Sequence, residues 1–345
     1  MQFRHPDRAV PLLSGVAVLD LTRLLPGAYC TRLLADRGAS VIKIEQPDVG
    51  DHLRSTPPLV DGQSVLFDAL NHGKRSVALD LKTGVGAFRQ LARRADVVVE
   101  GNRPGVMDRL GVGWSVLHEL NPKLVLCSIS GYGQEGDRAS RAGHDLNYVA
   151  VAGALSLNGV AGGPPVPFGL QVADFAGGGV AAAFEIAAAL AHVWRGGEGV
   201  HLDVSMSGGV AAWLAPQLAQ LGVDGSPPER GWQPLTGRFP CYRVYECGDG
   251  RHYSVAALEP KFWQELCSAL GDEALVPLQF DANAAAHGRL EELFRSRARD
   301  EWQRVFGDRD VCCEPVLTLD EIGHRTYPRG PALGEHTEEV LRELS

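Results

Sequence analysis

The sequence predicts an α/β protein with a large parallel-sheet domain and a smaller α+β domain. In the first half, short runs rich in valine and isoleucine alternate with helical segments. That alternation is typical of βαβ units, which build a parallel sheet with helices on both faces. In the second half, two alternating segments flank a Gly-Asp-Gly turn at 248–250, which predicts an antiparallel hairpin.

The elements of the first half follow one another in a regular order. Buried strands are expected at 15–22, 40–45, 76–81, 96–101 and 123–131. A helix over 26–38 starts at a Pro-Gly pair and ends at Gly38, and another helix covers 86–95. The arrangement is Rossmann-like, but the turn after the first strand reads TRLLPG. It therefore lacks the Gly-x-Gly-x-x-Gly fingerprint of dinucleotide sites.

The second half begins with an alanine-rich helix from about residue 175. This helix ends at the glycines of 195–199, and the strand 200–206 follows it. The later elements are a crossing segment and domain boundary at 207–240, a hairpin at 239–258, helices at 260–270 and 287–307, and an amphipathic helix at 334–344.

These elements predict the domain boundaries. The large domain is expected to comprise residues 1–206 and 325–345, and the small domain residues 225–318. A crossing linker of 207–224 and a return linker of 319–324 would join them. The glycine triplet 177–179 is expected to allow close helix packing or the close approach of a ligand.

Composition excludes several classes of protein. A net charge of −9 argues against nucleic acid as the main partner. Seven cysteines without a C-x-x-C pair indicate reduced thiols and a cytoplasmic location. The stretch GVAAAFEIAAALAHVW contains a glutamate and is expected to be too short for a membrane span. No cysteine cluster, H-x-x-x-H or G-x-S-x-G motif is present, so neither a metal site nor a serine triad is expected.

Two segments carry the most informative side chains. RAGHDLNYVAVAG contains His144, and PPVPFGLQVADFAGGG contains Asp174, each among glycines and apolar residues. A third candidate is Glu259, directly before a proline. One imidazole and two carboxylates in a mostly apolar setting suit proton transfer at carbon or nucleophilic carboxylate chemistry.

Each of these residues also has an ordinary structural explanation. His144 would satisfy a buried backbone group, Asp174 would cap the helix that follows it, and Glu259 would end a hairpin strand at the surface. The functional interpretation gains support from a helix predicted to begin at or just after Asp145. Its unpaired backbone N–H groups would stabilise a negative oxygen beside His144.

Basic residues lie after or near the ends of the predicted parallel strands. Singly, each is explained as a solvated charge. As a set they would grip a phosphorylated ligand at the carboxyl edge of the sheet. The set is Lys43, Arg54, Lys74, Arg75, Arg103 and Arg109.

Several stretches together resemble one known family, and the resemblance runs over most of the chain. They are LSGVAVLDLTRLLPGAYCTRLLADRGASVIKIEQP, NHGKRSVALDLK, NRPGVMDRLGV, SISGYGQEG, GHDLNYVA, PPVPFGLQVADFAGGG and GEHTEEVL. The sequence resembles the class III CoA-transferase (CaiB/BaiF) family. The segments GHDLNY, VADFAGGG and AALEPKFW look like those of its alpha-methylacyl-CoA racemase branch.

The resemblance implies roles for particular residues. His144, Asp174 and Glu259 would be catalytic, and the backbone N–H of Asp145 would hold the thioester oxygen. Contacts to CoA would come from Lys43, Lys74, Arg75, Arg103 and Arg109. No separate cofactor is implied, because CoA is part of the substrate. The family also implies an interlocked homodimer, with each active site between the large domain of one chain and the small domain of the other.

This chain departs from the family pattern near its C-terminus. Relatives usually have a longer segment between the region of Val316 and Leu317 and the GEHT helix, whereas here only TLDEIGHRTYPRGPAL joins them. That difference concerns the returning segment that laces the dimer, and it would narrow or open the acyl pocket.

The sequence thus predicts a racemase or epimerase acting on 2-methylacyl-CoA thioesters through an enolate. The alternative is an acyl-CoA:carboxylate CoA-transferase in which Asp174 is the covalent nucleophile. A CoA-binding protein without catalytic activity is the third class considered.

Overall fold

The computed structural model describes residues 10–344. These residues form two compact units. The larger comprises 10–155, 167–216 and 325–344, and the smaller comprises 156–166 and 217–324. The sequence did not indicate that 156–166 belongs with the smaller unit. Arg230 anchors this segment there, because its guanidinium donates to the backbone oxygens of Ser156 and Gly163.

The strands and helices of both units are numbered here in chain order. The strands are β1 Ala17–Leu21, β2 Ser40–Glu45, β3 Leu59–Val60, β4 Gln63–Ser64, β5 Arg75–Ala78, β6 Val97–Glu100, β7 Val125–Ser130, β8 His201–Ser205, β9 Tyr242–Glu246, β10 His252–Ala256 and β11 Cys313–Pro315. The helices are α1 Leu25–Asp36, α2 Val65–Asn71, α3 Val85–Arg94, α4 Val106–Arg109, α5 Trp114–Leu120, α6 Asp145–Val151, α7 Ala154–Leu157, α8 Ala181–Trp194, α9 Met206–Ala212, α10 Ala215–Asp224, α11 Pro260–Leu270, α12 Ala284–Arg295, α13 Arg299–Phe306, α14 Leu319–Ile322 and α15 Thr337–Arg342. A π-helical segment, Ala173–Val180, runs directly into α8, and short 3₁₀ helices cover His52–Ser55 and Glu273–Leu278.

The large sheet has six parallel strands in the order β5-β2-β1-β6-β7-β8. Counted along the chain within this sheet, the order is 3-2-1-4-5-6, the doubly wound Rossmann arrangement. The direction of strand addition reverses between β1 and β6. This confirms the predicted fold class for the larger unit.

Burial of the central strands explains why the sheet is parallel and covered on both faces. All four residues of β6 and all six of β7 are buried, as expected for central strands covered on both faces. One face packs against α1 and α8 through side chains such as Leu34 and Ile186. The other face packs against α3 and α5 through Phe88 and Leu117.

The glycine triplet of 177–179 lies where three helices cross. A Cβ atom on Gly177 would lie 2.5 Å from the backbone oxygen of Met206, and one on Gly179 would lie 3.0 Å from the backbone oxygen of Pro26. The partner glycine on α9, Gly209, leaves even less room, since its Cβ would lie 2.1 Å from the oxygen of Gly177. The triplet therefore serves close helix packing, as one of the two sequence expectations held.

The helix Ala173–Trp194 begins close to the predicted start near residue 175 and ends directly before the predicted stop at 195–199. Within residues 10–344 it is the one helix whose length and apolar composition would suit a membrane span. Its inner side chains, including Ile186 and Leu190, are buried in the core beside the parallel sheet. The same segment thus behaves as the packed helix that the sequence predicted.

The smaller unit contains an antiparallel sheet in the order β11-β10-β9. The predicted hairpin is present, with Tyr253 of β10 opposite Tyr245 of β9. Trp263 and Phe294 pack in its core. The single helix predicted over 287–307 is two helices, α12 and α13, because the chain turns at 296–298, where the backbone oxygen of Arg297 accepts from Gly248 N instead of continuing a helix.

Substitution of Gly209 by alanine should lower the stability of the larger unit. The new methyl group would clash with the backbone of Gly177, and overpacking of this kind costs about 1–3 kcal/mol or more. Urea unfolding followed by circular dichroism measures the loss. The matched control is Gly86→Ala in α3, where the added Cβ meets open space and a gain of up to about 1 kcal/mol is expected. Equal unfolding midpoints for the two variants would contradict the packing argument.

Candidate active site

A pocket of about 490 Å³ lies at the carboxyl ends of the central parallel strands. Thr22 follows β1, Gly101 and Asn102 follow β6, Ser130 ends β7 and Gly131 follows it. The pocket therefore opens where the strand order reverses, since the loops after β1 and β6 leave in opposite directions there. Doubly wound sheets bind their ligands at this position.

The structure brings two of the predicted catalytic residues into this one pocket. His144 lies at the N-cap position of α6, and its backbone N–H donates to the side-chain oxygen of Asn147 at 3.1 Å. Asp174 lies in the first turn of the π-helical segment and lines the same pocket. An imidazole and a carboxyl group from separate elements thus line one pocket at the switch point of the sheet.

The local environment of Asp174 favours proton exchange near neutral pH. Burial and, to a smaller extent, the nearby negative charge of Asp145 together raise the pKa of Asp174 to about 7. Both the acid and the carboxylate are therefore populated near pH 7. A perturbed carboxyl group of this kind suits general acid–base chemistry.

Asp174 is not the helix cap that the ordinary explanation held. The helical segment begins at Ala173, and its first free N–H groups are satisfied by another residue. The Oδ1 atom of Asp145 accepts from Ala173 N at 2.7 Å and from Asp174 N at 3.0 Å. The side chain of Asp174 is thereby left available to the pocket.

Glycines and tyrosines shape the wall beside His144. The Tyr148 hydroxyl donates to the backbone oxygen of Gly143, and the Tyr148 ring meets Tyr132 edge to face at 5.1 Å. A Cβ atom on Gly131 would lie only 2.3 Å from the Tyr148 ring, so only glycine fits there. The sequence patterns did not predict this role for the glycines and tyrosines of the wall.

Three exposed arginines line the pocket: Arg23, Arg103 and Arg141. Only Arg103 was predicted as a ligand contact. Arginine side chains bind phosphate and carboxylate groups through paired N–H donors, so this wall suits an anionic ligand. The predicted contact Arg109 is exposed at the end of α4 and lies outside the lining of the pocket.

Lys43 and Lys74 occupy a different place from the one expected. Both side chains are fully buried beneath the pocket. The Lys43 ammonium lies 2.9 Å from Asp51 and donates to the backbone oxygen of Thr22 at 2.9 Å, and the Lys74 ammonium lies 3.1 Å from Asp20. In this structure both lysines are partners in a buried ion-pair network, and neither lines the pocket.

Two further arginines of the basic set are also engaged elsewhere. Arg75 pairs with Glu339 and Glu343 of the C-terminal helix region, at 3.2 and 2.9 Å. Arg54 pairs with Glu45 at 2.7 Å. Arg75 is the first residue of β5 and Arg54 lies in the 3₁₀ helix His52–Ser55, and neither residue lines the pocket.

The buried network fixes the rim of the pocket. Asp20 accepts hydrogen bonds from the backbone and hydroxyl of Thr22, and Asp51 accepts from the backbone N–H of Leu24 at 3.1 Å. Leu24 has a φ of 63°, a left-handed conformation that costs energy for a leucine. Although burial raises it, the pKa of Asp20 is lowered to about 2 by Lys43 and Lys74. The network therefore stays charged and braces the strained turn.

Glu259 belongs to the smaller unit. It is exposed and precedes Pro260 at the start of α11, with an extended backbone as expected before a proline. Its side chain makes no capping hydrogen bond to the helix.

The fold and the site define an α/β protein with an arginine-lined pocket at the switch point of a doubly wound sheet, beside two groups able to carry protons. Residues 13–333 match the model of CoA-transferase family III, and the chain belongs to that family.

Relatives in this family carry two kinds of name. The human protein named alpha-methylacyl-CoA racemase is 34% identical over 373 residues, covering 96% of this chain and 93% of that protein. The succinate–glutarate CoA-transferase of Agrobacterium fabrum is 38% identical over 279 residues, covering 78% of this chain and 69% of that protein. A solved CaiB/BaiF family structure from Brucella suis has a TM-score of 0.84 at 28% identity and covers 98% of this chain and all of that one. The chain is therefore an enzyme of the group that contains these racemases and transferases.

Replacement of Lys43 by methionine should destabilise the protein strongly. The change leaves buried Asp51 without its partner, and breaking a buried ion pair in this way costs about 3–5 kcal/mol. Denaturant unfolding measures the loss, with Lys82→Met, an exposed lysine, as the control expected to lie within about 0.5 kcal/mol of wild type. A Lys43→Met protein of unchanged stability but weakened CoA binding would instead restore the direct ligand contact first expected for Lys43.

Proposed function

We propose that this enzyme is a cofactor-independent racemase or epimerase that inverts the α-carbon of 2-methylacyl-CoA thioesters. The observation that carries the proposal is the placement of His144 and Asp174 in one pocket at the switch point of the sheet. Two proton carriers beside one bound carbon are the minimum needed to remove a proton from one face and return a proton to the other.

The arginine-lined wall would hold the CoA part of the substrate. Arg103, with Arg23 and Arg141, would bind phosphate oxygens through charge-assisted hydrogen bonds. The thioester carbonyl would then lie near the backbone N–H of Asp145. That N–H would stabilise the negative oxygen that develops as the α-proton leaves.

The proposed reaction moves one proton off the α-carbon and one proton on. One of His144 and Asp174 takes the α-proton, and the electron pair of the C–H bond delocalises into the thioester carbonyl as an enolate. The other group delivers a proton to the opposite face of the same carbon. A carboxyl group with a pKa of about 7 is suited to either part of this exchange. Glu259 is proposed to orient His144, as the resemblance to the racemase branch implies.

The transferase alternative also has support. Succinyl-CoA:mesaconate CoA-transferase of Haloarcula hispanica is 39% identical over 269 residues, covering 75% of this chain and 67% of that protein. In that reaction the Asp174 carboxylate would attack the thioester carbonyl and expel the CoA thiolate, which leaves an acyl anhydride on the enzyme. The CoA thiolate would then displace the donor acid from this anhydride to form an aspartyl-CoA thioester. The acceptor carboxylate would attack that thioester and expel the thiolate to give a second anhydride, from which the thiolate takes the acceptor's acyl group and frees the Asp174 carboxylate.

A homodimer is the second part of the proposal. The larger unit has an apolar groove of about 890 Å³ formed by side chains of α1, α2 and the helix ending at Trp194. Phe184 is 68% exposed there and Trp194 59% exposed. Large exposed apolar side chains grouped in one groove suit an interaction surface, and the family resemblance makes a second copy of this chain, interlocked with the first, the proposed occupant.

The racemase proposal predicts deuterium incorporation at the α-carbon. Incubation of one 2-methylacyl-CoA in D₂O, without any carboxylate acceptor, should give α-deuterated product detectable by mass spectrometry. His144→Gln and Asp174→Asn should each lower the exchange rate by at least about 100-fold, the low end for loss of a general acid or base. Near-full exchange by both single variants would rule out this pair.

The same incubation separates the two activities. Hydroxylamine traps an acyl-aspartate, so a hydroxamate at Asp174 together with absence of α-deuterium would identify the transferase. Addition of a carboxylate acceptor should then produce a new CoA thioester. Under the racemase proposal, the acceptor leaves the exchange rate unchanged.

The dimer proposal predicts a particle of twice the chain mass of 37.0 kDa in sedimentation velocity. Phe184→Asp places a charge in the apolar groove and should shift the population to monomer, since burial of an unpaired carboxylate is costly. Val49→Asp is the matched control, because Val49 is 51% exposed and lies outside the groove. A wild-type monomer at micromolar concentration would contradict the proposal.

A further inference from the structure

The Asp145 side chain connects the two groups of the pocket. It follows His144 directly in sequence, at the first position of α6. Its Oδ1 atom accepts from the backbone N–H groups of Ala173 and Asp174, at 2.7 and 3.0 Å. One carboxylate therefore joins the segment that carries the imidazole to the segment that carries the second proton carrier, across 29 positions of sequence.

We propose that the Asp145 carboxylate is the positioning residue for the Asp174 side chain. It fixes the first turn of the helix through two hydrogen bonds and places a second negative charge beside the Asp174 carboxyl group. The consequence for proton transfer rests on the proposed function, whereas the effect on Asp174 itself does not.

The hydrogen bonds give the connection its rigidity. The first N–H groups of a helix have no partners within the helix, and Asp145 satisfies two of them in the part-buried region behind the pocket. Ala173 is fully buried, so water is not available to replace this acceptor. Loss of the acceptor would free the turn that aims the Asp174 side chain.

The electrostatic effect has a definite sign. Burial raises the pKa of Asp174, and the like charge of Asp145 raises this pKa further, because two carboxylates at one site resist double ionisation. Neutralising Asp145 should therefore lower the pKa of Asp174, with the contribution of burial remaining. Helix α9 also packs against the segment that carries Asp174, but it contains no titratable side chain and adds no charge there.

Other charged and titratable groups also surround Asp174. Those that line the same pocket are Arg23, Arg103, Arg141, His144 and Tyr148. The packed elements α1, β7, β8 and α8 contribute Tyr29, Cys30, Arg32, Asp36, Cys127, His201, Asp203, Glu185 and His192. The charges of the three arginines have the opposite sign to that of Asp145. The test therefore changes Asp145 alone and leaves these groups in place.

The test is a titration of Asp174 in the ligand-free full-length protein by carboxyl ¹³C NMR, with Asp174→Asn used to assign the resonance. Asp145→Asn removes the charge and retains an acceptor oxygen, so the pKa of Asp174 should fall by roughly one unit. Asp137→Asn is the matched control. It removes an exposed carboxylate from the preceding loop and should leave the titration of Asp174 unchanged.

Amide hydrogen exchange measures the positioning effect separately. Asp145→Ala removes both charge and acceptor, so the Asp174 amide should exchange about ten-fold faster or more than in wild type, as expected for loss of a hydrogen bond to a charged group. Asp145→Asn should retain most of the protection. Equal exchange in these two variants would overturn the positioning role, and an unshifted titration in Asp145→Asn would overturn the electrostatic role.

The two levels of proposal fail in different ways. If α-deuterium exchange is absent while the Asp174 titration shifts as described, the racemase assignment is wrong and the role of Asp145 stands. If exchange is present and its acidic limb does not move in Asp145→Asn, the racemase assignment stands and the role of Asp145 is wrong.

Discussion

The reversal of strand order between β1 and β6 is the constraint on which the site depends. Helices that leave neighbouring strands in opposite directions cannot cover the gap between those strands, so a crevice remains at their carboxyl ends. The pocket lies in that crevice, and loops after three different strands line it. Chemistry at this place is therefore determined by loop residues, while the sheet beneath supplies a rigid, buried base.

A buried network of charged side chains fixes the rim of the pocket above the sheet. Taking Lys43, Lys74, Asp20 and Asp51 out of water is expensive, and their mutual attraction offsets this only with good geometry. The hydrogen bonds of this network fix the turn at Thr22–Leu24, which includes a leucine in a left-handed conformation. Strain retained at the edge of a ligand pocket is a common sign that the local shape matters for function.

Sequence reasoning succeeded where a pattern reports a local preference. Apolar runs identified the buried strands, and alternation around the Gly-Asp-Gly turn identified the hairpin, because both patterns follow from strand geometry. The small-residue triplet correctly indicated close helix packing. His144 and Asp174, selected as candidates for their titratable groups, line one pocket, and their catalytic roles stay predictions.

Sequence reasoning succeeded less where the role of a residue depends on the direction in which its side chain points. A lysine near a strand end can face the pocket or the interior. Lys43 and Lys74 both face Asp20, which lies 23 positions from the first and 54 positions from the second. Arg23 and Arg141, which line the pocket, occur singly in irregular loops and leave no periodic signal. The capping of one segment by Asp145 of another is likewise a tertiary contact that no local pattern encodes.

The position of Asp174 shows how packing and chemistry are joined. The residue lies in a π-helical segment, and such irregular turns occur frequently at functional sites. Immediately after it, glycines bring the helix backbone against α1 and α9, so the segment cannot move away from the pocket without opening a closely packed crossing. Asp145 holds the other end of the same segment. A carboxyl group fixed from both sides can be partly desolvated without being lost to the interior, and partial desolvation is what brings its protonation into the neutral range.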